Sequence, residues 1–506
     1  MKYNLKLLII LILFVCCGQI LTSQPIIVRD TTPIIEKPKE PIRKFIDLNG
    51  KWERTTDEDE WGTTDLPKCD ENLKKVIYRR TFDIKSELLN KFTWHLSFLG
   101  VEDEVEVYVN EKFIGKYLGA MVPFTVKISN KFLLASRNVL KLVVTSTSNT
   151  VYLARKMNVY QQKSSTGILR SMELIGTSNV WVNSVDYTNK FIGDVNNCLI
   201  NTKVKISSAE AEQSEVKPQK NDTSSAGTGK AQYSVEAIIV DKQTNATVVQ
   251  SNQIAFQYQA ERTIQQSIDM RISSPTLWSP SNPYLYELVV KIKKNGAIID
   301  EYSKSIAFIN LTINKDDNQY SFFLNGTPFV MKGIEYYENC NISSYEQMKK
   351  QLEQDIVLIK SLGANLIRVK NFAPNPYLIE LCNKYGLFII IDIPANCIPS
   401  SILETDEISV RLRNIADRII SSFNSNVSLI AWGISSGIIE NSPEFKAYSK
   451  LIINLIRANS DKFIYKEIDL SAKNVSTDGV DFIGIKENRE NPNLSEVKFQ
   501  ILNKLT

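Results

Sequence analysis

From about residue 44 to 182, apolar and polar positions alternate in short runs. Val105-Glu106-Val107-Tyr108-Val109 has period two, and Asn110-Glu111-Lys112 turns the chain into Phe113-Ile114-Gly115. Residues 94–98, 124–128 and 139–144 are further strand-like runs. Short, regular strands with turn signals predict a β-sandwich over 44–182. A second all-β stretch spans 183–309, where strands over 233–240 and 284–292 suit a small immunoglobulin-like sandwich. Residues 207–230 interrupt it. They are rich in Ser, Ala, Glu, Gln, Lys and Gly, a composition with too little apolar surface to fold, so a disordered surface loop is expected.

After 310 the period changes. A buried strand is predicted over 329–334. Ser344-Tyr345-Glu346-Gln347 is a capping box. The helix that it opens carries an apolar face at Tyr345, Met348, Leu352, Ile356 and Ile359, and Gly363 ends it. Strands at 366–369, 387–391, 429–432, 463–468 and 481–485 then alternate with helices at 377–385, 410–422 and 445–458, and a last helix is predicted over 494–502. Such alternation implies a parallel sheet. Residues 310–506 therefore read as a partial (β/α) barrel of about six strands, where closure needs eight.

Composition adds exclusions. Sixty basic and 56 acidic residues give a net charge of +4 without a basic stripe, so nucleic acid is not an expected partner. The opening Met1-Lys2-Tyr3-Asn4-Leu5-Lys6, the apolar run 7–15 and Cys16-Cys17-Gly18 make residues 1–23 a secretory signal. The run falls short of the ~20 residues needed to span a bilayer. Its end resembles a lipobox, so the expectation is export, either as a lipoprotein acylated on Cys16 or Cys17 or as a plainly secreted protein, with a membrane reached only through that lipid. Residues 24–43, with Pro25, Pro33, Pro38 and Pro41, read as a tether. Beyond the signal, Cys69, Cys198, Cys340, Cys382 and Cys397 are widely spaced and lack a Cys-x-x-Cys pair, which argues for isolated thiols, with no metal and no cofactor. The lone histidine, His95, is expected to be a satisfied strand residue.

Several motifs together carry a family resemblance. Leu48-Asn49-Gly50-Lys51-Trp52, Tyr78-Arg79-Arg80-Thr81-Phe82 and Gly167-Ile168-Leu169-Arg170 stand in the first sandwich. Leu277-Trp278-Ser279-Pro280 precedes Asn282-Pro283-Tyr284-Leu285-Tyr286 in the second. In the barrel, Asp355, Lys360, Gly363, Asn365 and Arg368 follow the spacing Asp-x-x-x-x-Lys-x-x-Gly-x-Asn-x-x-Arg. In this order the motifs resemble glycoside hydrolase family 2, the β-galactosidase and β-glucuronidase family. The resemblance implies a jelly-roll-like sugar-binding sandwich, an immunoglobulin-like sandwich and a TIM-type barrel.

It also implies a retaining mechanism, which needs two carboxyl groups about 5 Å apart. The family's acid/base is the Glu of an Asn-Glu pair after the fourth barrel strand. Here the matching residues are Ser436-Gly437, so Gly437 stands at the acid/base position and cannot deliver a proton. The nucleophile belongs to a seventh strand that the sequence is not expected to reach. No catalytic residue is therefore assigned. The candidate sugar contacts are Glu335, Glu338, Arg368, Asp392 and Trp432, together with Asn371, which stands where the family has a histidine. Glu440 is a further nearby carboxylate. The competing readings are an ion pair of Arg368 with Glu335 or Asp392, and plain core packing for Trp432. The expected function is a non-catalytic homologue of carbohydrate metabolism or the cell envelope. It would bind carbohydrate, or act as a scaffold, with a homo-oligomer or second chain over the open barrel edge. The alternative is an active β-glycosidase completed by a partner chain or using other carboxylates.

Overall fold

The computed structural model describes residues 42–71, 73–102, 104–146, 165–209, 231–316, 319–338, 344–370, 372–393, 406–434, 443–469, 476–488 and 495–501. The signal, most of the tether, the bulk of the 207–230 insertion, Asn371, Ser436, Gly437 and Glu440 lie outside them.

The first sandwich packs a four-stranded sheet on a six-stranded one. Alternation along Glu104–Val109 sends Val105, Val107 and Val109 inward, against Trp52, Trp94 and Phe98. The lone histidine sits here: His95 bonds Thr177 Oγ1 at 3.0 Å and packs on Trp181, and burial, helped by Lys127 and Arg43, pushes its pKa down to about 4. It is a neutral structural ring at physiological pH. The second sandwich pairs Val180–Ile192, Asp194–Ser208 and Thr263–Ser273 in one sheet, and places Tyr233–Asp241 and Tyr286–Lys294 side by side in the other. Residues 207 and 208 therefore close an ordered strand and do not open the loop expected there. A three-stranded sheet over 311–329 follows.

The last region is a half-barrel. Its strands are β1 (Gly333–Tyr336), β2 (Leu366–Val369), β3 (Phe388–Asp392), β4 (Leu429–Gly433), β5 (Phe463–Asp469) and β6 (Phe482–Asn488), all parallel. Helices α1 (Tyr345–Ser361), α2 (Pro376–Tyr385), α3 (Asp406–Phe423) and α4 (Pro443–Asn459) cover the outer face. Local signals set their ends. Ser344 Oγ accepts from the Gln347 amide, and Asn375 caps α2 ahead of Pro376. Gly386 closes α2 with φ 74°. A side chain at Gly386 would also strike the Pro280 carbonyl, because the Trp278-Ser279-Pro280 segment of the second sandwich lies against this turn. Trp278 Nε1 donates to Asn383 O at 3.0 Å, and Lys360 Nζ donates to Pro280 O at 3.1 Å.

Two expectations are corrected. The run 329–334 is not one buried strand: Thr327–Phe329 belongs to the preceding small sheet, Val330 is exposed, and β1 begins at Gly333. The apolar run changes sheets midway. The helix expected over 494–502 is instead a strand, β7 (Ser495–Ile501), antiparallel to β6. Val497, Phe499 and Ile501 alternate with Glu496, Lys498 and Gln500, a period-two pattern that outweighs the leucines flanking it.

Candidate active site at the strand ends

Strand alternation sorts the half-barrel into two faces. Ile367, Ile389, Ile391, Trp432 and Ile464 meet the helices. Leu366, Phe388, Ile390, Ala431, Tyr465 and Phe482 face inward, where Phe322 and Leu324 of the small sheet close the floor. One step further along the same inward rows, at the carboxyl ends of the strands, the residues turn charged. This is the end at which barrels of this kind hold their chemistry.

Arg368 of β2 stands at the centre. Its Nε and Nη2 grip Asp392 of β3 at 3.1 and 2.7 Å. Its Nη1 reaches Glu467 of β5, Glu335 of β1 at 3.5 Å and Tyr465 Oη at 3.2 Å. The guanidinium also lies 4.6 Å from the Tyr465 ring centre, a cation–π geometry. Lys370 supplies a second cation, 2.6 Å from Glu335 and 3.2 Å from Glu467. Arg368, Lys370, Asp392 and Glu467 are all buried. Both readings of Arg368 as an ion-pair partner are realised at once.

Burial alone would lower the Arg368 pKa, but Asp392, Tyr465 and Glu467 outweigh it and hold the guanidinium charged. Burial would raise Glu467, yet Arg368 and Lys370 together draw its carboxyl below the usual range. For Asp392 burial wins over its arginine, and the carboxyl is pushed up. The cluster thus holds one carboxyl below and one above the ordinary carboxylate range. Such divergence marks acid/base pairs in many enzymes. Here both groups are enclosed and bound to one guanidinium, so neither presents a free oxygen to a glycosidic bond.

Two candidates lie elsewhere. Glu338 is gripped by Arg170 of the first sandwich at 2.6 and 3.3 Å and accepts from Asn375 Nδ2 at 3.3 Å. It joins the first sandwich to the half-barrel and is buried. Trp432 corrects the expectation of a sugar contact. One residue out of phase with the inward Ala431, it packs under the helices and donates from Nε1 to Ser460 Oγ at 3.0 Å. The structure brings Glu335, Arg368 and Asp392 together and adds Lys370, Tyr465 and Glu467. Their signal was the inward row of β5, where Phe463, Tyr465 and Glu467 recur with period two.

Gly433 reveals how close the packing is. A β-carbon there would lie well inside contact distance of Asp392 Oδ1. Gly433→Ala is expected to destabilise the fold by about 1–3 kcal/mol, the usual cost of overpacking. Urea unfolding followed by tryptophan fluorescence checks this, and an unchanged midpoint would show that Asp392 has room to yield.

Comparison with known proteins agrees with this architecture. The family model "Glycosyl hydrolases family 2, sugar binding domain" matches residues 48–178, "Glycosyl hydrolases family 2" matches 182–308, and the family's "TIM barrel domain" matches 316–482. The chain is 22% identical over 336 residues to a β-glucuronidase of Bacteroides fragilis, covering 66% of this chain and 44% of that protein. It is 20% identical over 378 residues to a β-galactosidase of Oenococcus oeni, covering 73% and 34%. It therefore spans less than half of the length of either relative. The crystal structure of a Bacteroides uniformis β-glucuronidase superposes with a TM-score of 0.71 at 17% identity, over 84% of this chain and 52% of that one. With its two sandwiches and half-barrel matched in order, the chain belongs to glycosyl hydrolase family 2.

Proposed function

We propose that this family 2 member works without glycosidase chemistry of its own, as an exported carbohydrate-binding or scaffolding protein of the cell envelope. The observation that carries the reading is the state of the strand-end carboxylates. Glu335, Asp392 and Glu467 are each claimed by Arg368, two of them are buried, and Glu338 is claimed by Arg170. A general acid must reach the leaving oxygen within hydrogen-bond distance. Gly437 at the family's acid/base position supports the same reading, and the leader-like residues 1–23 support export.

The test is hydrolysis of 4-nitrophenyl β-D-galactoside and β-D-glucuronide by the full chain, read by released nitrophenol. No release above the buffer rate is expected. Turnover at ordinary glycosidase rates, on the order of 1–1000 per second, would sink the proposal. It would turn attention to Asp392 and Glu467 as the working pair.

A further inference from the structure

A second place in the molecule has the character of a binding site. A cleft of about 640 Å³ opens between the second sandwich and the floor of the half-barrel, at the end opposite the Arg368 cluster. Small-molecule sites commonly have this size and sit at domain junctions. Tyr187 and Phe191 come from the sandwich, Asn310 from the connecting segment, and Asp461, Lys462 and Phe463 from the start of β5.

Lys462 is the telling residue. Its ammonium has no hydrogen bond or ion pair among the described residues, although the side chain is only partly exposed. Burial lowers its pKa, partly offset by Asp461. A second lysine lies behind the wall. Lys304 Nζ is held by Ser425 Oγ at 2.5 Å and Val185 O at 3.4 Å, and Ser425 also donates to Asp186. Burial brings Lys304 down to about 8, with Asp186 opposing and Lys462 adding repulsion. Lys304 thus feels Lys462 from behind the cleft wall, with Asp186 linked to the inner lysine through Ser425 and the solvent-exposed Asp461 next in sequence to the outer one. An anion seated on Lys462 would relieve both the desolvation and the repulsion.

The rest of the cleft suits a hydroxylated ligand. The Asn310 side chain, which lines the cleft and has no hydrogen bond among the described residues, offers a donor and an acceptor. Tyr187 Oη accepts from the Ala307 amide at 3.3 Å, which leaves its own proton free to donate. The Tyr187 and Phe191 rings give apolar walls. We infer that this cleft binds a small hydroxylated carboxylate of sugar-acid size, with Lys462 on the carboxylate and Asn310 and Tyr187 on hydroxyls. The inference is independent of what the strand-end cluster does.

Titration calorimetry on the full chain with sodium D-glucuronate as the probe tests it. Saturable binding is expected, with none for D-glucose and weaker binding for inorganic phosphate. Lys462→Met should weaken glucuronate by about tenfold or more, as loss of a charge-assisted contact does. Asn310→Trp, which fills the cleft and spares both lysines, should abolish it. Circular dichroism confirms that each variant is folded; if Lys462→Met is not, the Asn310→Trp result decides. Absence of glucuronate binding, binding untouched by the folded variants, or phosphate binding as tightly as glucuronate would each overturn the proposal.

Discussion

Replacing Arg170 with methionine will destabilise the chain by about 3–5 kcal/mol, the range for removing one partner of a buried ion pair. Arg170 is fully buried, and all three of its guanidinium nitrogens are engaged. Two contacts go to Glu338, and the others to the carbonyls of Met121, Ala373 and Pro374. One side chain of the first sandwich thereby holds the loops that follow β1 and β2. Methionine would leave the Glu338 carboxylate buried without its arginine, and three carbonyls short of a donor. Lysine should recover little, because an ammonium cannot reproduce the planar fork. Gly100 shows how closely the arginine is fitted: a β-carbon there would stand 2.7 Å from its Cδ. The same joint holds Ala120 and Met121, both at positive φ, in a loop whose carbonyls at 118, 119 and 122 accept from Arg418 of α3. Such backbone persists only where its surroundings over-determine it. Urea midpoints for wild type, Arg170→Met and Arg170→Lys give the answer. A loss under about 1 kcal/mol, typical of an exposed pair, would mean that water can enter the joint and replace the arginine.

What could be read in the sequence was what local physics controls. Ser344, Asn375 and Gly386 mark helix ends by capping chemistry, and the change from period two to strand–helix alternation marks the start of the half-barrel. What could not be read depends on which strands meet. Arg170 and Glu338 are 168 positions apart, and neither segment announces the other. Lys370 and Glu467 enter the charged layer only because β5 comes within reach of β2 across the barrel mouth. Of the two readings open for Trp432, core packing is the one realised. A motif carried over from a family gives a residue's place along a strand, while the face it occupies follows from alternation, and the inward Ala431 next to it already put Trp432 on the helix side. The segment 495–501 is a strand and not a helix because its apolar residues recur with period two.

Arg368→Met is expected to cost a similar amount, about 3–5 kcal/mol at neutral pH, with a pH dependence set by the two buried carboxyls that it pairs. In the wild type, the Glu467 carboxyl is held below its usual range. Its contribution to stability is therefore complete above the unfolded carboxylate pKa and is lost as pH falls through the lower folded value. Asp392 acts in the opposite sense: its raised folded value makes its ionisation a cost at neutral pH that acid relieves. Without Arg368, Lys370 is the one cation paired with Glu335 and Glu467 among the described residues. Burial then dominates both inner carboxyls, and their folded values rise. A raised carboxyl destabilises most when ionised and recovers as it takes up a proton, so the deficit of Arg368→Met should shrink between about pH 7 and pH 4.5, around and above the ordinary carboxylate values. Adding Asp392→Asn to Arg368→Met should recover part of the neutral-pH loss, since the amide removes one uncompensated charge. Urea midpoints of the three proteins at both pH values measure this. A deficit that is equal at both would assign the loss to the vacated volume and the missing Tyr465 stacking. In that case the charged layer would be packing that happens to be ionic, and Asp392 and Glu467 would be open again as groups that a substrate could meet.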